Sequence, residues 1–244
     1  MRENLSDAVE DYLKAIYELS LGDTPATTNH IAARMGVAPA SVTGMLKRLS
    51  ASEPPLLDYQ KHRGATLTPE GKLVALEVLR HHRLLELFLQ ESLGYTWDQV
   101  HEEADRLEHV ISEDLEERIA RALGNPQRDP HGDPIPARNG DLPVQLLTQL
   151  EGLYPGQQAV VRRVDNEDPD LLRYLTAIEL VPQARITVLE RSDFDGVLRL
   201  ELGENEVSLG PRLTAQIYVE VVQNTSAVDL APHKEVSNSR GGSE

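Results

Sequence analysis

The run Val100-His101-Glu102-Glu103-Ala104-Asp105-Arg106-Leu107-Glu108-His109 packs carboxylates and imidazoles onto what reads as one helix. At about 3.6 residues per turn, His101, Asp105, Glu108 and His109 stand three or four positions apart and share a face. Oxygen and imidazole donors converging in this way suit a divalent first-row metal ion. His82 and Glu86 form a second such pair at helical spacing. Taken alone, each set has a plainer reading. His82 with Glu86 makes a structural pair, and Asp105, Glu108 and His109 make a charged solvent face. Asp11, on an early helix, raises the metal reading, because an oxygen there could close a site that spans two structural units.

Several elements must position these groups. The spacing Asp7-Ala8-Val9-Glu10 is that of a capping box and predicts a helix to about Leu21, with Val9, Leu13, Ile16 and Tyr17 on its apolar side. Thr27 or Thr28 caps a second helix over Ile31, Ala32 and Met35, and Gly36-Val37 turns the chain. Pro39 suits the first turn of a third helix running to about Leu49, with Val42, Leu46 and Leu49 facing inward. Two short helices joined through a glycine turn are a helix-turn-helix. Leu56–Tyr59 and Ala65–Leu67 then flank a basic tip at Gln60–Gly64, which predicts a two-stranded wing. Thr68-Pro69-Glu70 opens a long helix to about Leu93, Thr96–Gln99 boxes the next, and a further helical stretch, or a continuation of that one, runs from Ser112 to Leu123.

Beyond a proline-punctuated stretch from Asn125 to Pro143 the pattern becomes β-rich. Strands are expected at Ala159–Val164, Arg185–Glu190, Val197–Leu202 and Ile217–Val222. Helix is expected at Gln145–Leu150 and Asp170–Glu179. The fold class is mainly α with a β-rich C-terminal part, in units of residues 1–70, 71–143 and 144–223, with a disordered tail over 224–244.

The 244 residues contain no cysteine, which removes disulfides and thiolate metal sites, and carry a formal net charge of −16. No apolar run approaches bilayer-spanning length and no signal stretch opens the chain, so a cytoplasmic protein is expected. An acidic chain is at first sight a poor nucleic-acid ligand. Charge is local, however. From Thr24 to Lys72, six basic residues face three acidic ones, so this island carries +3 and the remainder −19. In a winged helix-turn-helix the third helix enters the major groove and the wing reaches the backbone or minor groove. Ser41, Thr43 and Lys47 then face DNA, Pro39 and Ala40 meet thymine methyl groups, and Lys61 and Arg63 sit on the wing. The bland alternative is two packed helices in a bundle.

Three early stretches, Glu10–Leu19, Ile31–Met35 and Val37–Thr43, carry a resemblance, and His82–Glu86, Glu108–Ser112 and Pro130–Pro136 extend it. Together they resemble the diphtheria-toxin-repressor and manganese-transport-regulator family of metal-dependent bacterial transcription factors, over about Ser6 to Val222. The resemblance implies a winged helix-turn-helix domain, a helical dimerisation and metal-binding domain, and an SH3-like β-barrel. It also implies a homodimer on double-stranded, palindromic operator DNA. Carried over, a primary metal site uses Asp11, Asp105, Glu108 and His109. An ancillary site uses His82, Glu86 and His101, with Glu167 and Asp170 reaching in from the barrel. Iron-responsive members carry Met and Cys where this chain has Asp11 and Asp105. Hard carboxylates there favour Mn²⁺, with Fe²⁺ as the alternative and Co²⁺ or Cd²⁺ as surrogates. Members that bind two adjoining metal ions carry Glu at the position of Lys14, and an ammonium cannot ligate. Two other readings compete: a metal-assisted hydrolase, against which stands the lack of an HExxH run, nucleophile elbow or phosphate loop, and a winged-helix repressor of an organic ligand.

Overall fold

In the computed structural model, residues 5–20, 24–143, 146–165 and 168–222 are described. The expected tail over 224–244 lies outside them, as do Gln145 and Glu167. The first unit comprises α1 (Asp7–Leu19), α2 (Thr28–Met35), α3 (Pro39–Ser50) and a hairpin of β1 (Leu57–Gln60) and β2 (Gly64–Leu67). The Thr27 hydroxyl accepts from His30 N at the start of α2, and Gly36, at φ 64°, closes that helix in the left-handed conformation. Pro39 occupies the first turn of α3. Val42, Leu46 and Leu49 are buried with Leu13, Ile16 and Ile31 in one core. At about 1.5–3 kcal/mol per buried aliphatic side chain, this shared core holds α1, α2 and α3 together.

Helix α1 departs from the expected capping box. Ser6, not Asp7, is the N-cap residue and makes no side-chain cap bond. The Glu10 carboxylate is buried and accepts from His109 Nδ1 at 2.7 Å.

The helical unit is built on α4 (Pro69–Leu93), opened by Thr68, whose hydroxyl accepts from Gly71 N. Helices α5 (Val100–Leu107) and α6 (Glu113–Ala122) pack against it, the latter capped by Ser112. The expected single helix through His109 stops at Leu107, and Glu108 and His109 occupy the turn that follows. Helix α4 buries three polar side chains, His81, His82 and Glu86, among its leucines. The proline-rich stretch after α6 is fastened along α4, where Arg80 donates to Pro136 O at 2.7 Å and Arg83 to Pro134 O at 2.5 Å.

The third unit is one six-stranded antiparallel sheet in the order β3-β8-β4-β5-β6-β7, open rather than closed into a barrel. Its strands are β3 (Thr148–Gln149), β4 (Gln158–Val164), β5 (Arg185–Arg191), β6 (Leu198–Leu202), β7 (Asn205–Leu209) and β8 (Ile217–Val222). Helices α7 (Pro169–Ala177) and α8 (Pro211–Thr214) complete it. The described part of the predicted Gln145–Leu150 helix is instead strand β3 running into a short 3₁₀ turn at Leu150–Gly152. Strand β7 was not expected. Val207 and Leu209 alternate with exposed Glu206 and Ser208, but the run is only five residues long, and it is defined by pairing with β6.

Trp97 and the His131-Gly132 loop are among the features that join the helical unit to the sheet. Trp97, just before α5, is buried in the sheet's core, where its indole N–H donates to Thr176 Oγ1 at 2.7 Å. The loop at His131-Gly132 lies against β4, with Val164 N donating to His131 O at 2.9 Å. Gly132 has φ 91°, and a Cβ there would stand 1.8 Å from Arg162 O. Gly132→Ala should therefore lower stability by about 2 kcal/mol or more, through backbone strain and lost docking together. Denaturant unfolding that returned the wild-type midpoint would contradict this.

Candidate metal centre and DNA-reading surface

The sequence places donors on α1, α4 and α5, and packing brings them to one seam between the first two units. Asp11, from α1, and His109, from the turn after α5, meet with Asp11 Oδ1 2.9 Å from His109 Nε2. Glu108 Oε1 stands 3.4 Å from that same nitrogen. Asp11, Glu108 and His109 can each place one donor atom within 4.8 Å of the others. A cleft of about 470 Å³, lined in part by Asp7, Asp11, Arg34 and His109, opens beside them.

Glu10 and, beside Glu86, Asp129 and His131 are residues that the sequence reading does not place at a site. The grip of Glu10 on His109 Nδ1 turns the ring so that Nε2 faces Asp11 and Glu108, the carboxylate–histidine arrangement typical of metal sites. Burial disfavours the His109 imidazolium, but hydrogen bonds to Asp11 and Glu10 and the charge of Glu108 outweigh it and raise its pKa to about 10. His81, fully buried on α4, donates Nδ1–H to the Glu108 carbonyl at 3.1 Å and so steadies the turn that carries both ligand candidates.

Asp105 does not join the Asp11–Glu108–His109 trio. Its Oδ1 lies 3.1 Å from Lys14 Nζ and 3.2 Å from His82 Nδ1. Lys14 also donates to both oxygens of Glu108, at 3.0 and 2.8 Å. His82 Nδ1 donates to Glu108 Oε2 at 2.5 Å. Burial opposes ionisation of Glu108, yet the hydrogen bond from His82 and the Lys14 ammonium hold its carboxyl below the usual range. Asp105 is depressed in the same manner, again against desolvation.

His82, Glu86 and His101 do converge. His82 Nε2 is 2.9 Å from Glu86 Oε1 and 3.1 Å from His101 Nδ1. His131 Nδ1 approaches the other Glu86 oxygen at 3.7 Å. A small cavity of about 60 Å³ adjoins the trio, and Asp165, from the end of β4, is among its lining residues. Asp170 does not reach in. It is exposed on α7 and pairs with Arg173, because the helix, capped by Asp168, turns its first residues to solvent.

The DNA-facing candidates sit on α3 and at the tip of the β1–β2 wing. Pro39, Ala40, Ser41 and Lys47 on α3 are exposed, as are Lys61 and Arg63 at the tip of the β1–β2 wing. Thr43 is half-buried, and its hydroxyl donates to Pro39 O, so it contributes a methyl group more readily than a hydrogen bond.

Helix-turn-helix, wing, helical unit and acid–imidazole seam together define a metal-dependent transcriptional regulator. Three family profiles match in chain order. They are the N-terminal DNA-binding domain of iron-dependent repressors (residues 4–65), the metal-binding and dimerisation domain of the same repressors (68–137), and the FeoA domain (148–221). The iron-dependent repressor IdeR of Mycobacterium leprae is 33% identical over 90% of this chain and 99% of its own length. The diphtheria toxin repressor of Corynebacterium jeikeium is 29% identical over 98% and 92%. A manganese-dependent transcriptional repressor solved in complex with manganese superimposes with a TM-score of 0.80 at 38% identity, covering 88% of this chain and all of that one. This chain belongs to the diphtheria-toxin-repressor and manganese-transport-regulator family of metal-dependent transcriptional repressors. Its relatives are repressors rather than enzymes, and among the described residues no helix is long and apolar enough to cross a membrane.

Proposed function

We propose that this protein is a manganese-responsive repressor that acts in the cytoplasm as a homodimer on a palindromic operator and lowers expression of metal-uptake genes. The observation that carries this reading is the Asp11–Glu108–His109 trio, which draws its donors from two units at once. The residues fit a divalent ion of hard character, with carboxylate oxygens from Asp11 and Glu108, an imidazole nitrogen from His109, and Glu10 orienting the ring. When bound, the ion supplies the positive charge that lets these carboxylates stay close together.

The chain's own residues do the rest. Asp11 fixes α1, while Glu108 and His109 fix the turn after α5. The shared core of α1, α2 and α3 carries that constraint to the recognition helix. Two copies related by a two-fold axis then present two α3 helices at one spacing. His82, Glu86 and His101 form a second candidate site beside the sheet unit, supported by their convergence within 4.8 Å.

Iron-responsive action is the second reading, favoured by the similarity to an iron-dependent repressor along nearly the whole of both chains. Operator binding followed by fluorescence anisotropy, titrated with Mn²⁺ and anaerobically with Fe²⁺, tests both. Tighter binding in Mn²⁺ at micromolar levels, with a weaker response to Fe²⁺, is expected; the reverse order would assign iron. DNA binding equally tight with a chelator present would remove metal control altogether.

A further inference from the structure

Lys14 sits where lysine is costly. It lies on α1 facing the helical unit, is 7% exposed, and extends its ammonium into the space between His82, Asp105 and Glu108. Those three side chains can each bring a donor atom within 4.8 Å of the others, the spacing of a cation site. Nζ contacts all three, at 3.1 Å from His82 Nδ1, 3.1 Å from Asp105 and 2.8 Å from Glu108. The approach of two basic groups, Lys14 and His82, is tolerated because Glu108 accepts from both. The carboxylates of Asp105 and Glu108 are thus offset from within the chain by Lys14, while Glu108 also faces the adjoining Asp11–Glu108–His109 trio, 3.4 Å from His109 Nε2.

We propose that the Lys14 ammonium is a built-in cation of the His82–Asp105–Glu108 trio: it keeps a second metal ion out and clamps α1 to the helical unit in the metal-free protein. The inference rests on the reading that the adjoining trio takes metal. It makes that site mononuclear and makes Lys14 a determinant of metal stoichiometry. It also gives the metal-free state a weak version of the bridge that metal completes, because one flexible side chain reaches from the DNA-reading unit to the same Glu108.

The test compares full-length wild type with Lys14→Glu and Lys14→Gln. Bound manganese per chain is measured after equilibrium dialysis against Mn²⁺, and melting temperature is measured with and without a chelator. Lys14→Glu is expected to bind one more Mn²⁺ per chain than wild type. Lys14→Gln is expected to melt lower than wild type in chelator and to gain more in melting temperature from Mn²⁺. Equal stoichiometry in wild type and Lys14→Glu overturns the inference, whether both chains fill the trio or neither does. If Lys14→Glu does not fold, the glutamine variant decides, and a metal-induced rise equal to that of wild type overturns the proposal. A wild type that binds no Mn²⁺ overturns the functional reading and this inference together; a wild type that binds it, with both variants unchanged, overturns this inference alone.

Discussion

Asp11→Ala is expected to abolish metal-stimulated operator binding while leaving a folded dimer. Asp11 is the one member of the trio contributed by the DNA-reading unit, and its side chain is 42% exposed, so its loss leaves the core of that unit untouched. Coupling between two ligand sites typically amounts to about 1–3 kcal/mol, which corresponds to about 5- to 150-fold in affinity. The variant should therefore bind operator with the affinity of metal-free wild type at every Mn²⁺ concentration. Anisotropy titrations measure this directly, and undiminished activation would place the coupling ligand elsewhere. Circular dichroism and sedimentation should match wild type.

Glu108→Gln should have the larger effect on stability. This carboxylate is 1% exposed and accepts from Lys14 and His82, and it lies beside His109. Removing one partner of a buried ion pair costs about 3–5 kcal/mol, because the remaining charges stay buried. For a chain of this size that is a fall in melting temperature of roughly 10 °C. The pH dependence of the metal-free wild type follows from the same groups. Glu108 and Asp105 are held below their ordinary range, so their contribution is full above about pH 4.5 and is lost as pH falls. His109 is raised to about 10, so its contribution is full below about pH 6.5 and disappears as pH rises through 10. Metal-free protein should accordingly be most stable between about pH 5 and 6.5. A Glu108→Gln variant that melts with wild type at pH 6 in chelator would mean that the buried cluster carries no weight.

Local rules account for what was legible before the structure. Thr27 and Thr68 cap the helices they were expected to cap, Pro39 starts α3, and the alternation around Lys61 and Arg63 makes the wing. Each of these depends on neighbours within a few residues. The site was legible in composition and not in arrangement. Asp105 and Glu108 were read onto one helical face with His109, but the helix ends at Leu107, and the turn swings His109 toward α1 while Asp105 stays with Lys14. Glu10 looked like half of a capping box because its true partner is 99 positions away. The sequence could say that Lys14 does not ligate. That its ammonium lies among the very carboxylates a metal would use is a matter of tertiary packing. Asp170 was carried over from the resemblance alone, and which way α7 turns its first residues is likewise set by packing: there it faces solvent and pairs with Arg173.

The docking of Trp97 into the sheet has a practical consequence. It is the chain's single tryptophan, and it sits within a few residues of His101 and Asp105 yet belongs to the core of the C-terminal unit. Intrinsic emission excited at the indole band is thus a one-site optical probe of the joint between the helical and sheet units, blind to events at the wing. Any loosening of that joint wets the ring and shifts its spectrum to the red, whether or not the DNA-reading helices have moved.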